Sequence, residues 1–148
     1  EAISIAKEGD IIVIDAKGNT NRAVAGDFVA SLAKGVGVQG FVVNGVIRDI
    51  AAIRELDFPV FSLGTTVAAG NKHGGGKVNV PIAIGGVSVQ PGDFIIGDVD
   101  GVIVVPQGEE EEIIRKAEAK LAKDEAREKE ALANGEESIR AYIQKALS

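Results

Sequence analysis

The stretch that decides the fold is residues 26–49, GDFVASLAKGVGVQGFVVNGVIRD, which predicts a helix followed by a buried strand. Residues 27–34 form the helix, because Gly26-Asp27 supplies a start signal and Gly35 supplies a stop. Residues 41–44 then form a short apolar run of the kind found in buried strands. A helix that leads directly into a strand is typical of an α/β fold.

The flanking segments extend the same alternation in both directions. Residues 11–15 (IIVID) predict a first strand, and residues 19–26 a connection to the helix. After the second strand, residues 48–56 predict a second helix and residues 59–63 a third strand. The first 63 residues therefore follow the order β-α-β-α-β, which implies parallel strands joined by crossover helices.

The second half of the chain has a different pattern. Residues 64–80 are rich in Gly and Asn and show no clear period. Four short strands separated by glycine turns follow, at residues 81–84, 87–89, 94–96 and 102–105. These predict an antiparallel or mixed second layer.

A charged, alanine-rich tail closes the chain from Glu109 onward. Ile114, Ala117 and Leu121 mark one face of a helix that Asn134-Gly135 ends, and residues 139–147 predict a second amphipathic helix. We therefore predict one α/β domain over residues 1–148, with a core at 1–108 and a helical tail at 109–148.

Composition excludes several classes of function. The net charge is −6 and no stretch gathers Lys and Arg, so nucleic-acid binding is not expected. There are no cysteines, hence no disulfide, thiolate nucleophile or Cys-based zinc site. No apolar run is long enough for a membrane helix, and no signal peptide is visible. We expect a cytoplasmic protein without membrane contact; the start at Glu1 is compatible with a fragment or a processed form.

Two glycine motifs resemble phosphate-binding loops but fail on context. Residues 35–40 match G-x-G-x-x-G, yet they end a helix and begin a strand, the reverse of the dinucleotide arrangement. Residues 74–77 (GGGK) suggest a phosphate loop, but Asn71 stands where the first Gly of that motif should be and Val78 stands where Ser or Thr should be. The first motif is predicted to be a helix-ending turn, and the second is rejected as a phosphate-binding loop.

Two further features have simple structural interpretations. Asp98-Val99-Asp100-Gly101 has the spacing of calcium ligands, but the other ligands are absent and a hairpin turn fits better. His73 is the only histidine, and it lies in a glycine-rich segment without a nucleophile motif. We interpret it as a solvated loop residue.

Two loops that follow the first two predicted strands carry groups that could bind a ligand or take part in catalysis. Gly26-Asp27-Phe28-Val29 opens a helix, whose N–H groups suit an anion such as a carboxylate. Arg48-Asp49 offers a guanidinium that can grip a carboxylate or keto oxygen, next to a carboxylate suited to magnesium. Together these groups could stabilise an enolate.

Each group alone also has a structural explanation. Arg48 and Asp49 could form an ordinary salt bridge, or Asp49 could cap a helix. Asp27 could simply complement the dipole of the helix that it begins.

The distribution of motifs resembles the ribonuclease-E-regulator-A-like family over nearly the whole chain. The first half contributes Gly9-Asp10 through Asp15, Arg22-Ala23, Gly26-Asp27, Gly40 to Val43, Gly45 and Arg48-Asp49. The second half contributes Val78 to Pro81, Gly85-Gly86-Val87, Pro91-Gly92-Asp93, Gly97-Asp98, Asp100-Gly101-Val102 and Pro106. The family includes 4-hydroxy-4-methyl-2-oxoglutarate and 4-carboxy-4-hydroxy-2-oxoadipate aldolases, which also decarboxylate oxaloacetate.

The resemblance implies a layered β/β/α domain of the swivelling type, and a metal-dependent lyase that acts through pyruvate enolate. Arg48 would bind the keto acid and stabilise the enolate oxygen, while Asp49 would hold Mg²⁺ or Mn²⁺, partly through water. Gly26, Asp27, Phe28 and Val29 would form the pyruvate-binding loop, with Asp27 orienting or activating a catalytic water. A homotrimer or hexamer is also implied.

Two points leave a second function open. The aldolases commonly carry another acid three residues after Asp49, where this chain has Ala52, and they draw an acid from a neighbouring subunit, for which Asp124 or Glu125 is a candidate. The alternative is a non-catalytic, protein-binding regulator that resembles the ribonuclease E inhibitor. Such regulators tend to lose the metal-binding Asp, so retention of Asp49 favours the enzyme.

Overall fold

The computed structural model of the chain describes residues 1–71 and 75–147. In chain order the elements are α1 Ala2–Ile5, β1 Ile11–Ala23, α2 Asp27–Gly35, β2 Gly40–Ile47, α3 Ile50–Glu55, β3 Val60–Thr65, β4 Ile82–Ile84, β5 Val87–Val89, β6 Phe94–Asp98, β7 Gly101–Val105, α4 Glu110–Leu132 and α5 Glu136–Leu147. They divide into two compact units, Glu1–Pro106 and Gln107–Ser148. The predicted α/β class, with a parallel sheet, antiparallel strands and C-terminal helices, is confirmed.

A three-stranded parallel sheet with the order β1-β2-β3 organises the first unit. The small side chains of Ala30 and Ala33 on α2 are fully buried, which allows the helix to lie close to the sheet. Phe41 of β2 packs edge-on against Phe58, with their ring centroids 4.9 Å apart. These contacts place the hydrophobic core between the sheet and its crossover helices.

Strand β1 is longer than the sequence predicts, so the predicted connection at residues 19–26 is wrong for its first part. The pairing with β2 shifts register between Asp15 and Asn19, and again between Asn19 and Ala23. Lys17 and Gly18 adopt positive φ values of 57° and 68° at the first shift. The strand therefore bulges and resumes, instead of ending where its apolar run ends.

The side chain of Asp15 holds this bulge in place. It accepts hydrogen bonds from the Lys17 N–H at 2.9 Å, from the Lys17 ammonium and from Asn44 Nδ2 at 2.9 Å. The hydrogen bond from the Lys17 side chain is the largest influence, followed by that from the Lys17 backbone, and together they hold the pKa of the Asp15 carboxyl below its usual range. The carboxylate is therefore a structural element of β1.

Two antiparallel hairpins, β4–β5 and β6–β7, make up the rest of the first unit's strands. Strand β6 lies directly against β3, because a Cβ on Gly97 would be 2.6 Å from Phe61 Cζ. Asp98 and Gly101 pair across the β6–β7 turn, so the predicted hairpin at residues 98–101 is confirmed.

Of the two motifs that resemble phosphate-binding loops, the structure fully describes only residues 35–40. Residues 35–40 end α2 and begin β2, with Gly37 at φ 88°, so the predicted helix-ending turn is confirmed. His73 and the start of the motif at residues 74–77 lie outside the described residues.

The second unit consists of α4 and α5. None of the described residues of these helices is fully buried. Asp124 on α4 pairs with Lys120 and, at 3.0 Å, with Arg127, while Glu125 is exposed. No helix within residues 1–71 or 75–147 combines the length and apolarity needed to cross a membrane.

A candidate active site at the carboxyl edge of the parallel sheet

The two loops singled out in the sequence lie side by side where β1 and β2 end. The Val24 N–H donates to the Val46 carbonyl, and the Arg48 N–H donates to the Ala25 carbonyl, both at 3.0 Å. These bonds continue the parallel pairing beyond the last residues of β1. The carboxyl edge of a parallel sheet is where α/β proteins usually place ligands.

Gly26 brings the two loops into direct contact. A Cβ at this position would lie 2.4 Å from Asp49 Oδ2, 3.0 Å from Arg48 Cγ and 3.1 Å from Arg48 Nε. The Gly26 backbone is extended, with φ −143°, which any residue can adopt. Glycine is therefore needed here for space and not for conformation, and the start of α2 touches both side chains.

Arg48 and Asp49 form an ion pair that remains open to solvent. Arg48 Nε lies 3.3 Å from Asp49 Oδ2, and the side chains are 43% and 34% exposed. Such a pair contributes on the order of 1 kcal/mol or less to stability. The simple salt bridge that the sequence allowed is thus present, but it leaves both groups accessible to a ligand.

Asp49 has an unusual backbone at the start of α3. Its φ is 61°, in the left-handed region, and it occupies the N-cap position without a side-chain cap hydrogen bond. Only the Asp49 carbonyl takes part in the helix, by accepting the Ile53 N–H at 3.1 Å. The carboxylate is therefore not used to cap α3, although residues of this type often are.

Asp27 is the first residue of α2, and its carboxylate accepts one of the backbone N–H groups in the first turn of the helix. Its Oδ1 accepts the Phe28 N–H at 2.7 Å. The N–H groups of Asp27 and Val29 also lie in the first turn, where a helix supplies no acceptor of its own. Phe28 is 69% exposed and Val29 is half-buried. The first turn of α2 therefore has N–H groups that could bind an anion, but the carboxylate of Asp27 already accepts one of them, the Phe28 N–H.

A short segment, residues 66–69, links the carboxyl ends of β2 and β1; we call it the strap. At one end the Thr66 N–H donates to the Ile47 carbonyl at 2.9 Å. At the other end the Ala23 N–H donates to the Ala68 carbonyl at 2.9 Å, and Arg22 Nη1 donates to the Ala69 carbonyl at 3.0 Å. Sequence reasoning missed the strap and Arg22 as parts of this edge.

The donor set suits a divalent ion that keeps most of its water. Within residues 1–71 and 75–147, no three acidic or histidine side chains cluster as a ready-made ligand set. Asp49 supplies one exposed carboxylate at the site, and Ala52 supplies no second ligand one helical turn later. Mg²⁺ is commonly bound through one or two carboxylates and several waters, so the residues fit a largely hydrated ion.

An apolar cleft of about 310 Å³ opens at the opposite, amino end of the sheet. It is lined by Ile11, Gln39, Gly40, Phe41, Val42, Pro59, Phe61, Ile95, Ile96 and Gly97. None of these side chains can transfer a proton or carry charge. The groups that could carry out acid–base or charge-stabilising chemistry therefore lie at the carboxyl edge of the sheet and not in this cleft.

A parallel sheet with an arginine, an acid and a helix N-terminus at its carboxyl edge is the arrangement that the sequence resemblance implied. The chain belongs to the RraA-like family described as Aldolase/RraA, which it matches over residues 1–104.

Individual relatives agree with this family. The chain is 54% identical over 145 residues to a Halalkalibacterium halodurans protein provisionally named a 4-hydroxy-4-methyl-2-oxoglutarate aldolase, covering 98% of this chain and 69% of the relative. An uncharacterised Pseudomonas syringae structure matches with a TM-score of 0.83 and 31% identity, over 96% of this chain and 67% of that one.

The RNA-processing inhibitor RraA of Thermus thermophilus matches with a TM-score of 0.65 and 33% identity, over 69% of this chain and 64% of that one. The chain thus spans about two thirds of the length of these relatives.

Proposed function

We propose that the protein is a metal-dependent lyase that cleaves 2-keto acids through a pyruvate enolate. The reaction would be the retro-aldol cleavage of 4-hydroxy-2-oxo acids, with decarboxylation of oxaloacetate as a related activity. The observation that carries this proposal is the contact of Gly26 with both Arg48 and Asp49, which joins a helix N-terminus, a guanidinium and a carboxylate. The name of the relative from Halalkalibacterium halodurans supports the same class.

Arg48 and the start of α2 would bind the keto acid and stabilise the negative charge of the enolate. Arg48 Nε is engaged with Asp49, which leaves the terminal N–H groups for the keto acid. Negative charge develops on the C2 oxygen as the C3–C4 bond breaks, and a fixed guanidinium stabilises that charge. The first-turn N–H groups of Asp27 and Val29 would hold the neighbouring carboxylate.

In the retro-aldol step, the water activated by Asp27 takes the proton of the C4 hydroxyl. C4 then leaves as a carbonyl group, and the C3–C4 electron pair becomes the enolate of pyruvate. The enolate then takes one proton at C3 from water. Asp27, whose Oδ1 accepts the Phe28 N–H, would orient or activate that water. With oxaloacetate, carbon dioxide leaves in place of the carbonyl fragment.

Asp49 would hold Mg²⁺ or Mn²⁺, mostly through waters, because its carboxylate is exposed and not used as a helix cap. The bound ion would supply Lewis-acid polarisation of the 2-keto group. Carboxylate and water ligands suit either metal.

We further propose a homotrimer or hexamer in the cytoplasm. Phe28 and Leu32 on one face of α2, and Val36 directly after its last residue, follow at intervals of four residues and are 69%, 48% and 46% exposed. A second subunit that covers this stripe would border the site and could contribute an acid. Glu125 suits this role better than Asp124, which is already paired with Lys120 and Arg127. The solution mass, measured by light scattering, tests the assembly.

The second candidate function is a non-catalytic regulator that binds another protein. The observation in its favour is the 33% identity to the RNA-processing inhibitor RraA. Ala52, in place of a second acid, also leaves room for this function.

The deciding experiment measures pyruvate release from oxaloacetate, coupled to lactate dehydrogenase, with Mg²⁺ and with EDTA. Asp49→Asn is the sharpest variant, because asparagine tolerates φ 61°, keeps the side-chain shape and loses no cap bond. Asp57→Asn is the matched control, since Asp57 is also exposed and left-handed, with φ 51°, at the other end of α3.

We expect metal-dependent activity in the wild type and in Asp57→Asn, and a loss of about a hundredfold or more in Asp49→Asn. If a confirmed oligomer of the wild type shows no activity above the metal-catalysed background, the lyase proposal fails and the regulator becomes the leading candidate.

A further inference from the structure

The strap crosses the carboxyl end of β2, from β3 on one side to β1 on the other. Thr66 follows the last residue of β3, and its N–H donates to the Ile47 carbonyl at 2.9 Å. Three residues later, Ala69 pairs in parallel with Ala23, the last residue of β1. Because β2 lies between β1 and β3 in the sheet, the strap must pass the end of β2 to make both contacts.

The peptide group between Ile47 and Arg48 is bonded on both sides. Its carbonyl accepts the Thr66 N–H of the strap, and its N–H donates to the Ala25 carbonyl at 3.0 Å. A peptide group is planar, so two bonds in opposite directions fix its orientation. The Cα of Arg48 is attached to this group, and the strap therefore supplies one of the two bonds that orient the chain at Arg48.

Arg22 fastens the far end of the strap to β1. Its Nη1 donates to the Ala69 carbonyl at 3.0 Å. Beside it, the Ala23 N–H donates to the Ala68 carbonyl at 2.9 Å. Within the strap, the Ala68 N–H donates to Thr66 Oγ1 at 3.3 Å, which links the fastened end to the end that meets β2.

The side chains of Arg22 and Arg48 extend toward opposite faces. Ala23 pairs with Val46, so the side chains of these two residues lie on the same face. Side chains alternate along a strand, and Arg22 is one residue from Ala23 while Arg48 is two residues from Val46. Any influence of Arg22 on Arg48 must therefore pass through the backbone and not through a shared ligand.

We propose that Arg22 is a positioning residue, which clamps the strap and so holds the Arg48 guanidinium where the enolate charge develops; this rests on the proposed function of the same site. Arg22 itself does not touch the substrate. A donor that is fixed in place stabilises a developing charge without reorganisation, whereas a displaced guanidinium can still bind a carboxylate. Loss of the clamp therefore lowers kcat and leaves KM nearly unchanged.

The test combines amide hydrogen exchange, followed by NMR, with steady-state kinetics of oxaloacetate decarboxylation in Mg²⁺. Arg22→Ala removes the donor to the Ala69 carbonyl, and Arg22→Lys keeps one. Arg54→Ala is the matched control, because Arg54 is also an exposed arginine, in the last turn of α3. The Phe41 N–H, which donates to the Pro59 carbonyl at 3.0 Å near the amino end of the sheet, is the internal control for exchange.

In Arg22→Ala we expect the Thr66 N–H to exchange about three- to tenfold faster, while the exchange of the Phe41 N–H stays unchanged. The kcat should fall about tenfold, with KM within about twofold of the wild type. Arg22→Lys should recover most of the loss in kcat and most of the protection of Thr66. Arg54→Ala should match the wild type in both measurements.

Three results overturn the assignment. Unchanged exchange of the Thr66 N–H in Arg22→Ala means that Arg22 does not clamp the strap, and faster exchange with an unchanged kcat means that the strap does not position Arg48. A rise in KM at constant kcat means that Arg22 contacts the substrate directly. An inactive wild type is a different result, because it refutes the proposed function and with it the catalytic part of this assignment, while the exchange of Thr66 still shows whether the strap is clamped.

Discussion

Gly26→Ala is the substitution that most directly tests whether the contact between α2 and the Arg48–Asp49 pair matters. The new Cβ would lie 2.4 Å from Asp49 Oδ2, whereas an ordinary contact begins near 3.4 Å, so the carboxylate must retreat by about 1 Å. The backbone itself accepts alanine, since φ is −143° and ψ is −170°. The substitution therefore moves the site without straining the chain.

The expected effect on activity is large compared with that on stability. A displacement of about 1 Å at a reacting centre can lower the rate about a hundredfold, so we expect a loss of that order in kcat/KM for pyruvate release. Alanine is a poorer N-cap than glycine, by about 0.5–1 kcal/mol. For a chain of this size that corresponds to a fall in Tm of about 1–4 °C.

The assay is lactate dehydrogenase-coupled pyruvate release with Mg²⁺, together with thermal unfolding followed by circular dichroism. Gly35→Ala is the matched control, because it lies at the other end of α2, where a Cβ meets nothing within 4 Å. It should keep full activity and an equal or higher Tm. If Gly26→Ala keeps wild-type activity, the contact is not part of the catalytic geometry and this reasoning is refuted.

Two other carboxylates give tests with opposite outcomes. Asp27→Asn keeps an oxygen that can accept the Phe28 N–H, so its Tm should stay unchanged, while kcat should fall about a hundredfold if Asp27 activates water; an unchanged kcat removes Asp27 from the mechanism. For Asp15, the lowered pKa means that its contribution to stability is present above about pH 4 and is lost as the pH falls through the lower folded value. Asp15→Asn should therefore be less stable than the wild type in urea unfolding at pH 7, with a difference that shrinks below pH 4, and a difference independent of pH would contradict this explanation.

The parallel pairing of the first three strands and the meeting of the two loops at one edge could be predicted, because both follow from local patterns. Helix signals at Gly26-Asp27 and apolar runs at residues 11–15 and 41–44 are readable within short windows. Parallel strands then bring their carboxyl ends to one edge, so two loops far apart in sequence are expected to meet. The bond between the Arg48 N–H and the Ala25 carbonyl realises that expectation.

The bulge in β1 and the strap could not be predicted, because long-range bonds decide them. Asp15 and Asn44 lie 29 residues apart, and their hydrogen bond helps β1 to continue past its polar residues. Arg22 and Ala69 lie 47 residues apart, and nothing near either residue indicates the pairing. The available signal was Gly70, where a Cβ would lie 2.7 Å from the Ala23 carbonyl oxygen, but one glycine among many does not identify its neighbour.

The carboxyl edge combines a tightly packed backbone with exposed functional groups. Close approaches that leave no room for a Cβ occur at Gly26, at Gly45 against Ala16 and at Gly70 against Ala23. These contacts fix the chain that carries Arg48, while its side chain remains 43% exposed. This combination favours the binding of a small ligand, because a rigid backbone restricts the positions of the charged groups that contact it. The same packing explains why a single methyl group at Gly26 should affect catalysis far more than folding.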